Sequence, residues 1–439
     1  MPVKNIALVL MYSLHLCGVF SFVGCKNRET NVAASVRIVK SGSGYILLRN
    51  GRPFEIRGAG GMSNFRQLQA AGGNALRVWD TTNLQQLLDS AQAHNIAVIV
   101  GLPIQNSEQL ALYNDPAKAA RQLSVFKTLI SRLKNHPALL MWCLGNELDF
   151  PFKPAYGHFY DAFNALTDMI HQEDPNHPIT TTVLNLNQKY IANIQLRCDI
   201  DIISFNIFNR IGLLREDLDG FSWFWNGPYM LLEWGTDGPW EGSANTAWGA
   251  FIENPSKKKA DVILHRYQEE MPVEDPRFLG HFIFYWGSKQ ETTHTWFSMF
   301  DESGRKSEPV AIMEYLWTGK TSKEHYPQIR YMLLNKKGAA DNILLKPGQA
   351  MVSELNMHDS DSIRSVKWEI FSEDWYKENR QNSTRRLAPL DSLITSGATL
   401  KAHFKSPMRA GPYRIFAKIS DYNGNFATCN TPFYVVSDQ

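Results

Sequence analysis

"ALLMWCLGNE", residues 138–147, is apolar through Leu144 and then delivers Gly145, Asn146 and Glu147 in succession. A run that is apolar at nearly every position reads as a strand buried on both faces, which is the mark of a parallel sheet covered by helices. The polar end is the informative part. An isolated carboxyl at the end of a buried strand is costly unless it is paired or used in chemistry. Glu147 therefore reads either as a strand-end salt-bridge partner or as half of a catalytic pair.

Seven further runs share this character: "EIRGAG" (55–60), "NALRVWD" (74–80), "IAVIVGLP" (96–103), "ITTTVLN" (179–185), "DIISFNIF" (201–208), "YMLLEWG" (229–235) and "GHFIFYWG" (280–287). Helical patterns lie between them. Leu84, Leu87, Leu88 and Ala91 fall on one helical stripe. Asp115-Pro116 reads as an N-cap followed by proline at the first helical position, and Leu123, Phe126, Ile130 and Leu133 continue that helix. Phe159, Phe163, Leu166 and Ile170 mark another. Eight strands with helices between them predict a closed (β/α)8 TIM barrel over residues 51–320. A doubly wound open sheet would need a phosphate-binding glycine turn after an early strand, and "SGSGY" and "GAGG" are weak matches in the wrong place.

Near residue 320 the pattern changes to short strands with Gly, Pro and Asn-Gly turns, among them "IRSVKWEIFS", "PYRIFAKISD" and "FATCNTPFYVV". These predict a C-terminal all-β, immunoglobulin-like sandwich over 321–439, with "RQNSTRR" (380–386) as a charged loop inside it. At the other end, Lys4 precedes the mostly apolar "IALVLMYSLHLCGVFSFVG", so residues 1–25 read as a targeting segment and are set aside from the fold. The segment stops at "FVGC", which resembles a bacterial lipoprotein cleavage box with Cys25 as the acylated residue. That implies a lipid-anchored protein of the bacterial envelope; a plain secretory signal or an N-terminal membrane anchor is the alternative. Residues 26–50 read as a tether and an N-terminal hairpin, with Asn50-Gly51 as the turn signal.

Composition narrows the function classes. A formal charge of +2 argues against a nucleic-acid binder. The five cysteines have no metal-ligand spacing, and "HQEDPNH" (171–177) reads as a turn, so no metal and no cofactor are expected. The 12 Trp and 24 Phe suit core packing, and some of them suit stacking on the C–H faces of sugars.

A barrel of this kind presents its strand ends at one rim, where its chemistry is done. Here those ends carry Arg77, Trp79 and Asp80, Asn146 and Glu147, Asn206 and Phe208, Glu233 and Trp234, and Trp286. Two carboxyls across a pocket are the minimum apparatus for breaking a glycosidic bond, one holding a proton and the other ionised. Arg77 suits a nucleophile that must stay charged, Asn146 can donate to a sugar hydroxyl, and Trp286 offers an apolar floor. Trp79, Trp234 and Trp296 read equally as stacking surfaces or core. Asp149, Asp237, Glu241 and Glu291 are rival carboxylates, read as loop or subsite groups, and Lys289 and Gln290 either reach substrate hydroxyls or are solvated.

These residues carry a family resemblance. "LLMWCLGNE" is similar to the fourth-strand motif of the (β/α)8-barrel clan of glycoside hydrolases, as in families 2 and 5, where the Glu is the acid/base. "MLLEWG" resembles the seventh-strand motif with the nucleophile, "NALRVWD" the second-strand segment with its Arg, and "FYWG" the eighth-strand Trp. The resemblance covers about residues 50–320 and is strongest to family 2 barrels without the usual N-terminal sandwich domains. It implies a retaining β-glycoside hydrolase acting on an oligo- or polysaccharide, with Glu147 as acid/base and Glu233 as nucleophile. Transglycosylation is open to the same intermediate. A non-catalytic glycan-binding lipoprotein on the same fold is the competing expectation. In many clan members the sixth strand supplies a Tyr that bonds the nucleophile, whereas this chain has Phe208. Either Tyr285 or Asn206 takes over that bond or catalysis is weakened.

Overall fold

Strands that are buried on both faces have to close on themselves or be covered, and here they do both. The computed structural model describes residues 35–359, 363–373, 387–397 and 399–437. Within it Ile56–Gly60, Ala75–Val78, Ala97–Leu102, Leu139–Leu144, Ile179–Leu184, Ile202–Asn206, Tyr229–Trp234 and Phe278–Phe284 pair in parallel in chain order. The eighth bonds back to the first, completing a TIM barrel. Side chains alternate along each strand. Val98, Val100, Trp142 and Leu144 pack outward with the helices, while Ala97, Ile99, Leu140, Cys143, Met230 and Leu232 belong to the inner cluster. The helix read from Asp115-Pro116 spans Pro116–Leu133, and the Asp115 carboxylate accepts from the N–H groups of Ala117 (3.0 Å) and Lys118 (3.3 Å).

The seventh strand is irregular at its end. Leu231 pairs with Phe205, yet Glu233 pairs with Asn206, so this strand carries an extra residue there. Such a bulge re-aims the side chains beyond it.

The hairpin Val36–Ser41 and Gly44–Arg49 plugs the opposite end of the barrel. Val36 and Leu47 join the inner apolar cluster, and the hairpin backbone bonds to Asn176 O and Pro276 O, which precede the fifth and eighth strands. This closed end leaves the other rim for a site. Residues 1–34, including the proposed lipidation residue Cys25, and the charged loop 380–386 lie outside the described residues.

Among the described residues the sandwich has two four-stranded sheets. One holds Gln328–Leu334, Ala350–Asp359, Lys401–Lys405 and Ile394–Ser396; the other holds Leu344–Leu345, Phe426–Val435, Gly411–Asp421 and Ile363–Ser372. Pairing is antiparallel except between the short Leu344–Leu345 strand and its neighbour. Ile329, Leu355, Trp368, Phe404, Ile415 and Phe433 form the core between the sheets.

A buried polar network locks the sandwich to the barrel's loops. Glu253 accepts from Lys259 Nζ (2.5 Å), Thr295 Oγ1 (2.8 Å), Thr293 Oγ1 (2.6 Å) and Asn430 Nδ2 (2.7 Å). Arg414 in turn donates to Asn430 Oδ1 (2.7 Å) and to the Phe251 carbonyl (2.5 Å). Burial opposes charge on Glu253, but Lys259 and Thr293 outweigh it and hold this carboxyl below its ordinary range. Glu253→Leu leaves the buried Lys259 ammonium without its carboxylate, with the Thr295 carbonyl as a remaining acceptor. It is expected to cost about 3–5 kcal/mol, read as a lowered urea midpoint of the full chain.

Candidate active site

The rim is built by backbone geometry first. After the fourth strand the chain turns through Gly145 at φ 78° and Glu147 at φ 51°. A Cβ on Gly145 would lie 2.4 Å from Leu148 Cδ1, so the turn needs a glycine there. Glu147 occupies a left-handed conformation that a side chain rarely adopts, and its own N–H is held by Thr182 Oγ1 at 2.8 Å. The turn throws Asn146 and Glu147 toward the barrel axis together, which a continuing strand would not do.

Five strands or strand ends then supply one hydrogen-bonded network. Arg77, buried on the second strand, donates through Nη1 to Glu233 Oε1 and through Nη2 to Asn146 Oδ1. Asn206 Nδ2 from the sixth strand donates to Asn146 Oδ1 (3.2 Å) and to Glu147 Oε1 (2.8 Å). Thr182 Oγ1 adds a contact of 3.3 Å to Asn146 Oδ1. With the Asn146 oxygen engaged three times, its amide N–H groups are the part of the side chain left to donate.

The two carboxyls have different surroundings. Glu233 is buried and its Oε1 also accepts from Trp79 Nε1 at 2.8 Å. Two donors converging on one oxygen suit a carboxylate, and Oε2 takes no hydrogen bond among the described residues. Glu147 is pushed up to about 7, first by burial and then by the charge of Glu233, against opposing pulls from Asn206 and Arg77. One carboxyl is poised to hold a proton near neutrality beside a partner clamped by a guanidinium and an indole.

Trp79 donates to Glu233, a bond that the resemblance led us to expect from the sixth strand. Phe208 packs edge-on to Phe284 and Trp240 and reaches no carboxylate. Asn206 bonds Glu147 instead of Glu233, and Tyr285 lies beside Trp79 with ring centroids 5.7 Å apart. A sequence signal existed for Trp79. Arg77 and Trp79 are two apart and so share a face at the end of the second strand.

Three tryptophans read as sugar surfaces, Trp234 and Trp296 equally as core, take other places in the fold. Trp234 is fully covered, donates to His281 Nδ1 at 3.0 Å and packs on Tyr267, in the layer between barrel and helices. Within a strand consecutive residues point to opposite faces, and the bulge gives the axial direction to Glu233. Trp286 is likewise fully covered against Phe300 and Trp317, with Nε1 directed at Asn64 O (3.3 Å). The half-buried ring beside Trp79 is Tyr285. Trp296 is 4% exposed and spends its N–H on Asp237 O (3.0 Å), bracing the loop after the seventh strand.

The rival carboxylates find other work. Glu241 accepts from the N–H groups of Gly238 (2.9 Å) and Asn209 (3.2 Å), Asp237 pairs with Arg266 (2.5 Å), and Asp149 accepts from Asn106 (3.2 Å). Glu291 is paired with Lys289. Among the described residues no group of three or more His, Cys, Asp or Glu is arranged to hold a metal ion.

Fold and rim together define a barrel protein of the glycosidase type. Residues 75–300 match the family model for the TIM barrel domain of the glycosyl hydrolases of family 2, and the chain belongs to that family. It is 28% identical over 178 residues to a β-glucuronidase of Felis catus, covering 37% of this chain and 26% of that protein. It is also 28% identical over 296 residues to a β-glucuronidase of Paenibacillus borealis, covering 60% of this chain and 46% of that one. The chain thus spans between a quarter and a half of the length of these relatives. The solved β-D-glucuronidase of Dictyoglomus thermophilum superposes with a TM-score of 0.50 at 20% identity, over 65% of this chain and 54% of that one, a likeness of fold.

Trp79→Phe removes a hydrogen bond to a charged group worth about 1.5–3 kcal/mol. It is expected to lower kcat/KM on an aryl β-glycoside about ten- to hundred-fold and, because the bond also steadies a buried carboxylate, to lower the thermal midpoint by a few degrees. Glu147 has to be protonated to act as an acid. Activity on unactivated glycosides should hold below about pH 7 and fall above it, and Glu147→Gln should abolish that limb of the profile.

Proposed function

We propose that the protein is a retaining β-glycoside hydrolase working by double displacement, with Glu147 as acid/base and Glu233 as nucleophile. The observation that carries this reading is the unequal pair of carboxyls: Glu147 raised to about 7 and Glu233 gripped through one oxygen by Arg77 and Trp79. In the first step Glu147 gives its proton to the glycosidic oxygen as Glu233 Oε2 attacks the anomeric carbon. The bond to the leaving group breaks, and a glycosyl ester forms on Glu233. Esterification removes the charge of Glu233, one of the causes that raise Glu147. Glu147, already deprotonated by the first step, then has a lower proton affinity, stays ionised and serves as a base. In the second step it takes a proton from water while the oxygen attacks the anomeric carbon, the ester bond breaks and Glu233 is freed. A sugar hydroxyl in place of that water gives transglycosylation.

Asn146, its oxygen occupied, offers its amide hydrogens to a hydroxyl of the bound ring, and Tyr285 beside Trp79 gives that ring an apolar wall. Substitution of Phe208 for the expected Tyr does not weaken this reading, because Trp79 supplies the bond. The "FVGC" box supports attachment to a bacterial envelope through Cys25, where a glycan substrate is met outside the cytoplasm.

A 2-deoxy-2-fluoro glycosyl fluoride is expected to trap the ester, and mass spectrometry should place the adduct on the peptide bearing Glu233. Inversion of anomeric configuration in the first-formed product, read by proton NMR, overturns the double displacement.

A further inference from the structure

A third carboxylate stands beside the pair. Glu291, in the loop after the eighth strand, is buried, and its Oε2 lies 2.6 Å from Lys289 Nζ. Backbone bonds between Glu291 and Thr293, of 3.1 and 2.7 Å, pin the turn that carries it. The Lys289 ammonium lies 4.5 Å from the ring centroid of Phe284, 5.6 Å from that of Tyr285 and 5.8 Å from that of Trp79. Trp79 is the ring whose N–H bonds Glu233. One indole thus lies between the Lys289 ammonium and Glu233, and the charge of Glu291 is among those felt by Glu147, so the Lys289–Glu291 pair borders the carboxyl pair.

The charges there are already matched. The Arg77 guanidinium is taken by Glu233 and the Lys289 ammonium by Glu291. A substrate bearing its own carboxylate would bring a further negative charge to a wall whose two cations are spent, facing Glu291. Like charges in a desolvated site repel strongly, and an unpaired buried charge is costly. A hydroxyl fits such a wall from either side, since it donates to Glu291 and accepts from Lys289 or from the Asn146 amide.

The geometry points to a pocket for neutral β-hexosides, in which Lys289 and Glu291 read sugar hydroxyls and exclude uronides. This rests on the glycosidase reading above, and it sets the chain apart from the β-glucuronidases among its relatives.

The test compares 4-nitrophenyl β-D-glucoside, β-D-galactoside and β-D-mannoside with 4-nitrophenyl β-D-glucuronide on the full chain. The best neutral substrate is expected to exceed the glucuronide at least about 100-fold in kcat/KM. Glu291→Gln frees the Lys289 cation and should narrow that ratio at least about tenfold; Lys289→Met should leave it as wide or wider. A glucuronide turned over as well as the best hexoside overturns the proposal, as does a ratio unmoved by Glu291→Gln. If that variant does not fold, the wild-type ratio decides. If no glycoside is cleaved, the catalytic reading fails by itself and tryptophan fluorescence decides the charge preference. Titrations with the methyl β-glycosides then support it by binding of a neutral sugar at least about tenfold tighter than the glucuronide. Equal or tighter glucuronide binding, or no binding at all, overturns it.

Discussion

A guanidinium and a carboxylate, 1% and 8% exposed at their side chains, are pressed together at the top of the barrel. Removing either alone would leave a bare charge in a desolvated place. Arg77 does more than balance Glu233, because its second nitrogen orients Asn146, which Asn206 links to Glu147. One buried cation on the second strand thereby sets the positions of groups from the fourth, sixth and seventh. The barrel allows this because parallel strands in closed order bring their ends to a single rim.

The same closure explains the asymmetry between the two glutamates. Glu233 is gripped from one side, so the other oxygen remains for chemistry. Glu147 receives one amide bond and is otherwise shaped by burial and by its neighbour's charge. Two identical side chains thus meet different surroundings, and those of Glu147 raise its proton affinity. The left-handed backbone at Glu147 and the bulge before Glu233 are local departures from regular structure, and both sit where a side chain must be aimed.

The sandwich takes part through its interlock. Thr293 and Thr295, which bond Glu253, come just after Glu291 in the loop that edges the pocket. Asn430 on the sandwich's Phe426–Val435 strand closes that network. The C-terminal domain thereby holds the pocket's wall in place from behind, without contributing a group to the carboxyl pair.

Much of this was legible in the residues. Buried runs with helical stripes between them foretold the barrel, because burial on both faces leaves a period-free apolar strand such as "LLMWCL". Glu147, Glu233, Arg77, Asn146 and Asn206 were readable as strand-end polar groups, costly without a shared purpose. The tryptophans were not, since an indole suits a core and a sugar face equally. Trp234 and Trp286 went to the helix layer and Trp79 to Glu233 through the phase of each strand, which a one-residue bulge reverses. The sequence by itself determined the fold and the chemical kinds of group at the rim, because periodicity and burial cost are local properties. Only tertiary structure decided which of those groups touch and which carboxyl keeps the proton, because contact and desolvation depend on how distant strand ends meet.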